Sequence, residues 1–404
     1  METGPILRSM MRNKIGAILI AAQIAFTMTV MVNAWVLIEE RIERADRPSG
    51  IVEDDIFHVQ ARGFTETFDG AASVKSDLAV LRETPGIIDA VAVNAVPLSG
   101  SGWSSSLQLE AGDVAQDFPA AMYMVDDHGV NTLGVNLVAG RNFLPSEVRE
   151  RPRNATTWPD KAIVSAALAE RLWPDSSPLE VVDRTLYIND HQPMTVVGVV
   201  ERLQAPWSGW DTLEQSVLVP DLTTWQSAHY IVRTEPGARE RMMPIIEETL
   251  ARANPERIVH APESMAETRE QSYMLDRGLA SILGVIMSLL LVITTLGITG
   301  LASFSVSRRT KQIGTRRALG ATRGHIVRYF LVENFLITSA GLFIGVGMTI
   351  GLNMALVSTL SFPKLEFTYV LAGAAALWIV GLLAVSGPAQ RASTVPPAVA
   401  TRTV

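Results

Sequence analysis

The apolar residues of this chain fall into two kinds of run. Four runs are long and free of formal charge: Ile15 to Ile38, Gly278 to Ser307, Asn334 to Phe362 and Phe367 to Gln390. At ~1.5 Å per helical residue the first alone spans roughly 36 Å, enough for a bilayer core of about 30 Å. Val32-Asn33-Ala34 loosely resembles a signal-cleavage site, but the run is far longer than a signal core of roughly 7–15 residues, so an uncleaved signal anchor is expected. The run from Gly278 is long enough to project beyond the hydrocarbon as a stalk. The pattern predicts an α-helical membrane bundle with spans at 15–38, 277–307, 329–362 and 367–390.

Between the first two spans the apolar runs are short and alternate with helical periodicity, which predicts a large α+β domain over 39–276. Ile56 to Gln60 reads as a strand, Ala72 to Glu83 as a helix stopped by Thr84-Pro85-Gly86, and Ile87 to Val96 as a second strand. Tyr230 to Arg233, followed by a helix from Gly237 to Ala253, repeats that unit near the end of the domain. Lys161 to Val164, the helix Ala166 to Leu172 and the run Thr195 to Val200 lie between. The expected organisation is a first subdomain at 50–125 and 227–270, interrupted by an inserted second one at 126–226.

Charge then orients the spans. From Glu39 to Arg277 there are 21 Lys and Arg against 38 Asp and Glu, whereas the rest of the chain carries 13 against 3. The connection 308–328 holds Arg308, Arg309, Lys311, Arg316, Arg317, Arg323 and Arg328 with no acidic residue. Basic residues in short connections are retained on the cytoplasmic side. The segment 1–14, this connection and the tail 391–404 are therefore expected inside, and the acidic domain outside. In bacterial terms that is an inner-membrane, multi-pass chain with a periplasmic domain.

The composition excludes several chemistries. The 404 residues include no cysteine, so disulfides, thiolate metal sites and a cysteine nucleophile are ruled out. There is no phosphate-cradling glycine motif, no metal-ligand spacing and no nucleophile elbow, so no catalytic, cofactor or metal residues are expected, and no nucleic-acid partner. His58, His128, His191 and His260 read as surface or strand residues, and Asp54-Asp55 and Asp126-Asp127 as solvated pairs. Trp207-Ser208-Gly209-Trp210 reads as core packing.

Within the third span, Gly341, Gly345, Gly347 and Gly351 give two overlapping small-xxx-small spacings that allow close helix approach. Packing inside the bundle and a face for a second subunit both fit. Glu333, at the start of that span, is expected to be a structural charge paired with the basic connection, because an unpaired carboxylate near hydrocarbon costs ~2.5 kcal/mol or more.

The segment Ser307-Arg308-Arg309-Thr310-Lys311-Gln312-Ile313-Gly314-Thr315-Arg316-Arg317-Ala318-Leu319-Gly320-Ala321-Thr322 resembles the signature of the MacB/FtsX-type ABC transporter permeases. Four spans with a large domain after the first, Leu133-Gly134-Val135 and Gly140-Arg141-Asn142-Phe143 resemble the family too. The resemblance implies a non-catalytic permease whose connection touches an ATPase through Ile313, Gly314, Arg316, Arg317, Ala318, Leu319, Gly320, Ala321 and Thr322. MacB carries a nucleotide-binding domain on its own chain and this sequence has none, so the ATPase, with its ATP and Mg, is expected on a separate polypeptide. The family implies a second permease copy or related permease and membrane lipid as further partners. A periplasmic adaptor and an outer-membrane channel fit a MacB-like exporter that works by mechanotransmission. Regulation of a cell-wall hydrolase, as in FtsX-like members, and lipoprotein extraction are the alternatives. Read from physics alone, Gly314 and Gly320 permit breaks in the connection and Ala318-Leu319 offers a small apolar knob.

Overall fold

The structure, a computed structural model, describes residues 14–396 apart from 114, 115, 190 and 361. The expected inner segment before Lys14, with Arg8 and Arg12, and the tail end with Arg402 lie outside the described residues. The chain divides into two compact units, 45–275 and the segments on either side of it. The principal helices are α1 (Lys14–Asp46), α2 (Gly70–Glu83), α3 (Ala166–Leu172), α4 (Arg239–Ala253), α5 (Met265–Ser272), α6 (Met274–Arg308), α7 (Thr310–Ala318), α8 (Arg323–Leu360) and α9 (Phe367–Ser393). Of these α1, α6, α8 and α9 are long and apolar enough to cross a membrane.

Each of these four helices runs beyond its apolar run. α1 continues past Ile38 to Asp46 through Glu39, Glu40, Arg41, Glu43 and Arg44, all charged residues. Arg44 pairs with Glu40 one turn away, and Arg41 with Asp276 on α6. Polar side chains join the helices internally, as expected where water is absent. Thr27 and Thr294 share a hydroxyl hydrogen bond of 2.8 Å, Asn334 donates to the Gly381 carbonyl at 2.9 Å, and Asn353 donates to Asn33 Oδ1 at 3.2 Å. Around them Ile24, Met28, Val32, Phe330, Leu377 and Ala389 form the apolar core of the bundle.

The inserted unit contains three sheets, the smallest a parallel pair of Arg149–Arg151 and Asp221–Thr223. In the first, Glu263–Ser264 and Arg257–Val259 flank β1 (Ile56–Gly63), which pairs antiparallel with Ser227–Thr234, and that strand pairs antiparallel with β2 (Ile87–Val93). Alternation explains β1: Phe57, Val59 and Ala61 join Val74 and Leu78 of α2 and Ile246 and Leu250 of α4 in one core. α2 starts at Asp69, whose carboxylate accepts from the amides of Ala71 and Ala72, and α5 starts on a Ser264–Glu267 capping box. The helix and strand predicted at Ala166–Leu172 and Lys161–Val164 appear at those positions.

The second sheet is mixed and barrel-like. Its order is Leu137–Gly140, Gln192–Val200, Lys161–Ser165, Ser216–Val219, Phe118–Met124, Trp103–Gln108, Thr185–Ile188, and the last strand also pairs with Gln192–Val200, which closes a ring. The sheet therefore begins at Trp103, and strand pairing does not follow the boundary expected at 126. That closing pair is a local hairpin, with Ile188 opposite Gln192. Trp103–Gln108 and Thr185–Ile188, which pair Leu107 with Ile188, lie far apart in sequence, and alternation along one strand carries no information about them.

Two buried polar clusters also escape the sequence pattern. Arg257, with its side chain 0% exposed, pairs with Asp77 at 2%, and it donates to Ser73 Oγ at 2.9 Å, while the Tyr230 hydroxyl donates to Asp77. Asp126 does not belong to a solvated pair: it is 5% exposed and bonded to Arg82, and burial raises its carboxyl pKa. The reason is the Arg82 guanidinium on α2, which also donates to the Ala90 carbonyl and lies beside Asp89. Trp207 and Trp210 pack edge to face on each other and against the core shared by the two larger sheets.

His58 and His229 lie on one face of the first sheet, and burial lowers both ring pKa values to about 4. His58 Nε2 is 2.9 Å from the Thr268 hydroxyl on α5.

Replacing Asp77 with Ala leaves Arg257 as an unpaired buried charge and is expected to destabilise the inserted unit by roughly 3–5 kcal/mol, measured by denaturant unfolding of the full-length chain in detergent with tryptophan fluorescence. A second expectation concerns pH. The two histidines titrate near 4 when folded and ~6.5 when unfolded, so the unfolded chain takes up protons first. Stability is then flat above about 6.5 and falls as pH drops toward about 4. Thermal midpoints should decline between ~6.5 and ~5, above the usual carboxylate range, and the His58→Gln/His229→Gln variant should flatten that slope.

Candidate functional site

The connection 308–328 is not a loop. Its first half is the short helix α7, and its second half is the start of α8, which begins at Arg323. Gly320 breaks the chain with φ +95°, a conformation L side chains rarely adopt. The amides of Gly320 and Ala321 close on the carbonyls of Arg317 and Arg316, ending α7. Gly314 makes no break: it is buried inside α7.

Three contacts hold α7 in place. Ile313, 5% exposed, enters the bundle core. Arg309, at its start, donates from Nη1 to both carboxylate oxygens of Glu333, at 3.0 and 2.9 Å, with the Tyr329 hydroxyl at 3.4 Å. Arg317 Nη1 donates to the carbonyls of Ser393 and Val395 at 2.8 and 2.9 Å, capping the end of α9. Glu333 therefore has a partner on the basic connection, as expected of a structural charge. It stands ten residues into α8 rather than at its start, because the helix begins at Arg323, and its partner is Arg309.

These contacts divide the nine candidate residues into two faces. Ile313 and Gly314 are buried, and Arg317 and Ala321 are half-buried. Arg316, Ala318, Leu319, Gly320 and Thr322 are exposed, Leu319 at 83%. The Arg316 guanidinium lies over the Tyr329 ring, 5.0 Å from its centroid, which fixes its direction. The outward face is thus a cationic rim around one apolar side chain, on a helix anchored at both ends. Sequence spacing did not reveal that Arg317 serves the fold, because its acceptors are backbone carbonyls some 80 residues away.

The four glycines of α8 also divide. A Cβ at Gly341 would lie 2.7 Å from the Ala21 carbonyl oxygen, and one at Gly345 would lie 2.9 Å from Met28 Cβ, so both positions receive α1. Gly347 and Gly351 have no heavy atom within 4 Å of such a Cβ. Among the described residues no group of three or more His, Asp or Glu is placed to hold a metal ion.

Comparison with known proteins gives two family matches. A family described as MacB-like periplasmic core domain matches residues 15–247, more than half of the chain, and one described as FtsX-like permease C-terminal matches 284–397. The uncharacterized ABC transporter permease YknZ of Bacillus subtilis (strain 168) is 24% identical over 310 residues, 74% of each chain. The macrolide export ATP-binding/permease protein MacB of Neisseria gonorrhoeae is 26% identical over 271 residues, which is 65% of this chain and 39% of that protein. The periplasmic region of MacB from Actinobacillus actinomycetemcomitans aligns over 57% of this chain at 12% identity with a TM-score of 0.34.

Gly341→Leu and Gly345→Leu are each expected to destabilise the bundle by about 1–3 kcal/mol through overpacking against α1, while Gly347→Leu should change stability by less than about 0.5 kcal/mol. Thermal unfolding of the purified full-length variants in one detergent compares them.

Proposed function

The chain belongs to the family of MacB-like and FtsX-like ABC transporter permeases, and we propose that within it the chain is a mechanotransmission subunit that couples a separate ATPase to substrate efflux. The observation that carries this reading is the outward face of α7. An apolar side chain at 83% exposure on a fully anchored helix end suits the groove of a protein partner, and the surrounding Arg316, Lys311 and Arg323 suit an acidic rim.

The proposed mechanism follows the anchors. Closure of the ATPase, which supplies ATP and Mg binding, pushes on Leu319 and Arg316. Because Arg309 is fixed to Glu333 and Arg317 to the end of α9, the push moves α7 together with α8 and α9 rather than bending a loop. α6 follows directly, since Arg308 ends it one residue before Arg309. The Arg41–Asp276 pair fastens α6 to α1 close to where the chain enters and leaves the inserted domain, so both connections into that domain move together. In this reading the connection is cytoplasmic, the inserted domain is periplasmic, and a second permease copy or related permease completes the membrane part. An adaptor and an outer-membrane channel would receive the cargo.

Purification of the tagged chain from native membranes is expected to bring an ABC ATPase with it. Leu319→Asp should reduce the recovered ATPase about tenfold or more, a loss of about 1.4 kcal/mol or more. Ser339→Ala, whose position is far from α7 along α8, should leave recovery unchanged. Recovery of equal ATPase with Leu319→Asp would contradict the coupling role of this face.

A further inference from the structure

Between α1, α6 and α8, at the end of the bundle that carries α7, lies a cavity of about 700 Å³, within the range of roughly 300–1,000 Å³ that small-molecule sites occupy. Its wall is apolar for most of its extent, with Ile20, Leu301, Phe330 and Ile337 among the lining side chains. Ile15, Leu19 and Phe304 on its rim are exposed, so the cavity opens sideways toward the lipid of a bilayer as well as toward its surface.

The charges of the wall are unequal. Lys14, Arg308, Arg309 and Glu333 all line the cavity. Glu333 is taken by Arg309 through two hydrogen bonds, which leaves Lys14 and Arg308. Both are exposed, and among the described residues neither forms an ion pair. The Arg308 guanidinium lies over the ring of Phe304 on the rim, 5.4 Å from its centroid, which holds the charged head at the cavity mouth. Two uncompensated cations at the mouth of a hydrocarbon-lined cavity match one molecule that has an anionic head and an apolar tail. We infer that the cavity binds an anionic phospholipid of the surrounding leaflet, its acyl chain between α1, α6 and α8 and its phosphate against Lys14 and Arg308.

This goes beyond the coupling role and does not require an ATPase. It rests on the proposed cytoplasmic placement of this end only for which leaflet supplies the lipid. The probe is a nanodisc containing the full-length chain in an equal mixture of phosphatidylcholine and phosphatidylglycerol, followed by gentle detergent release and native mass spectrometry of the retained lipid. Wild type should retain phosphatidylglycerol over phosphatidylcholine by roughly fivefold or more for each basic side chain. Lys14→Gln/Arg308→Gln should retain lipid without preference, and Ala302→Trp, which fills the cavity, should retain less of both. Equal retention of the two lipids by wild type, or an unchanged preference in the double variant, would overturn the inference. Displacement of the lipid by inorganic phosphate would overturn it as well, since the site would then be one for a free anion. Leaflet is read separately: in the cysteine-free chain, Lys311→Cys should be labelled by an impermeant maleimide only in inverted vesicles. Labelling from the other side would contradict the orientation while leaving the lipid result to stand or fall independently.

Discussion

A charged side chain beside hydrocarbon must find a partner, and the Arg309–Glu333 pair is where this chain meets that demand. Its two members come from the start of α7 and the body of α8. Breaking it would leave a carboxylate at 8% exposure without compensation. One guanidinium nitrogen, Nη1, donates to both carboxylate oxygens, and charge on both partners strengthens these hydrogen bonds. The rest of the connection takes its shape from that point: Ile313 turns inward, Arg317 reaches the end of α9, and Arg316 and Leu319 are left outside. A basic connection that the positive-inside rule only places on one side of the membrane thereby becomes a defined surface.

The same constraint explains how the bundle is assembled from sequence that is apolar nearly all round. Without a hydrophobic preference for one helix face over lipid, specificity comes from small residues and paired polar groups. Gly341 and Gly345 admit α1 at close range, and Asn33, Asn334, Asn353 and Thr27 find hydrogen-bond partners across helices. In the inserted unit water is present, and specificity returns to alternation and burial, as the face of β1 made by Phe57, Val59 and Ala61 demonstrates.

What was legible in the sequence follows from the range of each signal. The four spans and the order of spans and inserted domain rest on contiguous apolar runs and local charge, and they are read from neighbouring residues. The helices expected at 72–83 and 166–172 were legible from local periodicity and, for the first, from the stop at Thr84-Pro85-Gly86, although the Asp69 cap starts that helix earlier, at Gly70. Barrel closure combines a local hairpin of Thr185–Ile188 with Gln192–Val200 and a seam between Thr185–Ile188 and Trp103–Gln108, and the second joins residues about 80 positions apart, which no window along the chain compares. Asp126 looked solvated because its neighbour Asp127 is acidic, whereas Arg82, which holds it, lies 44 residues earlier. At the candidate site the residue types were legible and their directions were not: Arg316 and Arg317 are adjacent and identical in type, yet one faces out over Tyr329 and the other caps α9.

The most direct test of the coupling surface uses a photo-crosslinking residue placed singly at Leu319, at Ile313 and at Gly351, followed by activation in intact membranes and identification of the adducts. Adducts with an ATP-binding subunit are expected from position 319 and not from the buried position 313 or from position 351 on the apolar span. An ATP-binding adduct from 313 or 351 with none from 319, or none from any position in membranes that contain the assembled transporter, would contradict the assignment of the α7 face as the contact through which ATP hydrolysis reaches this chain.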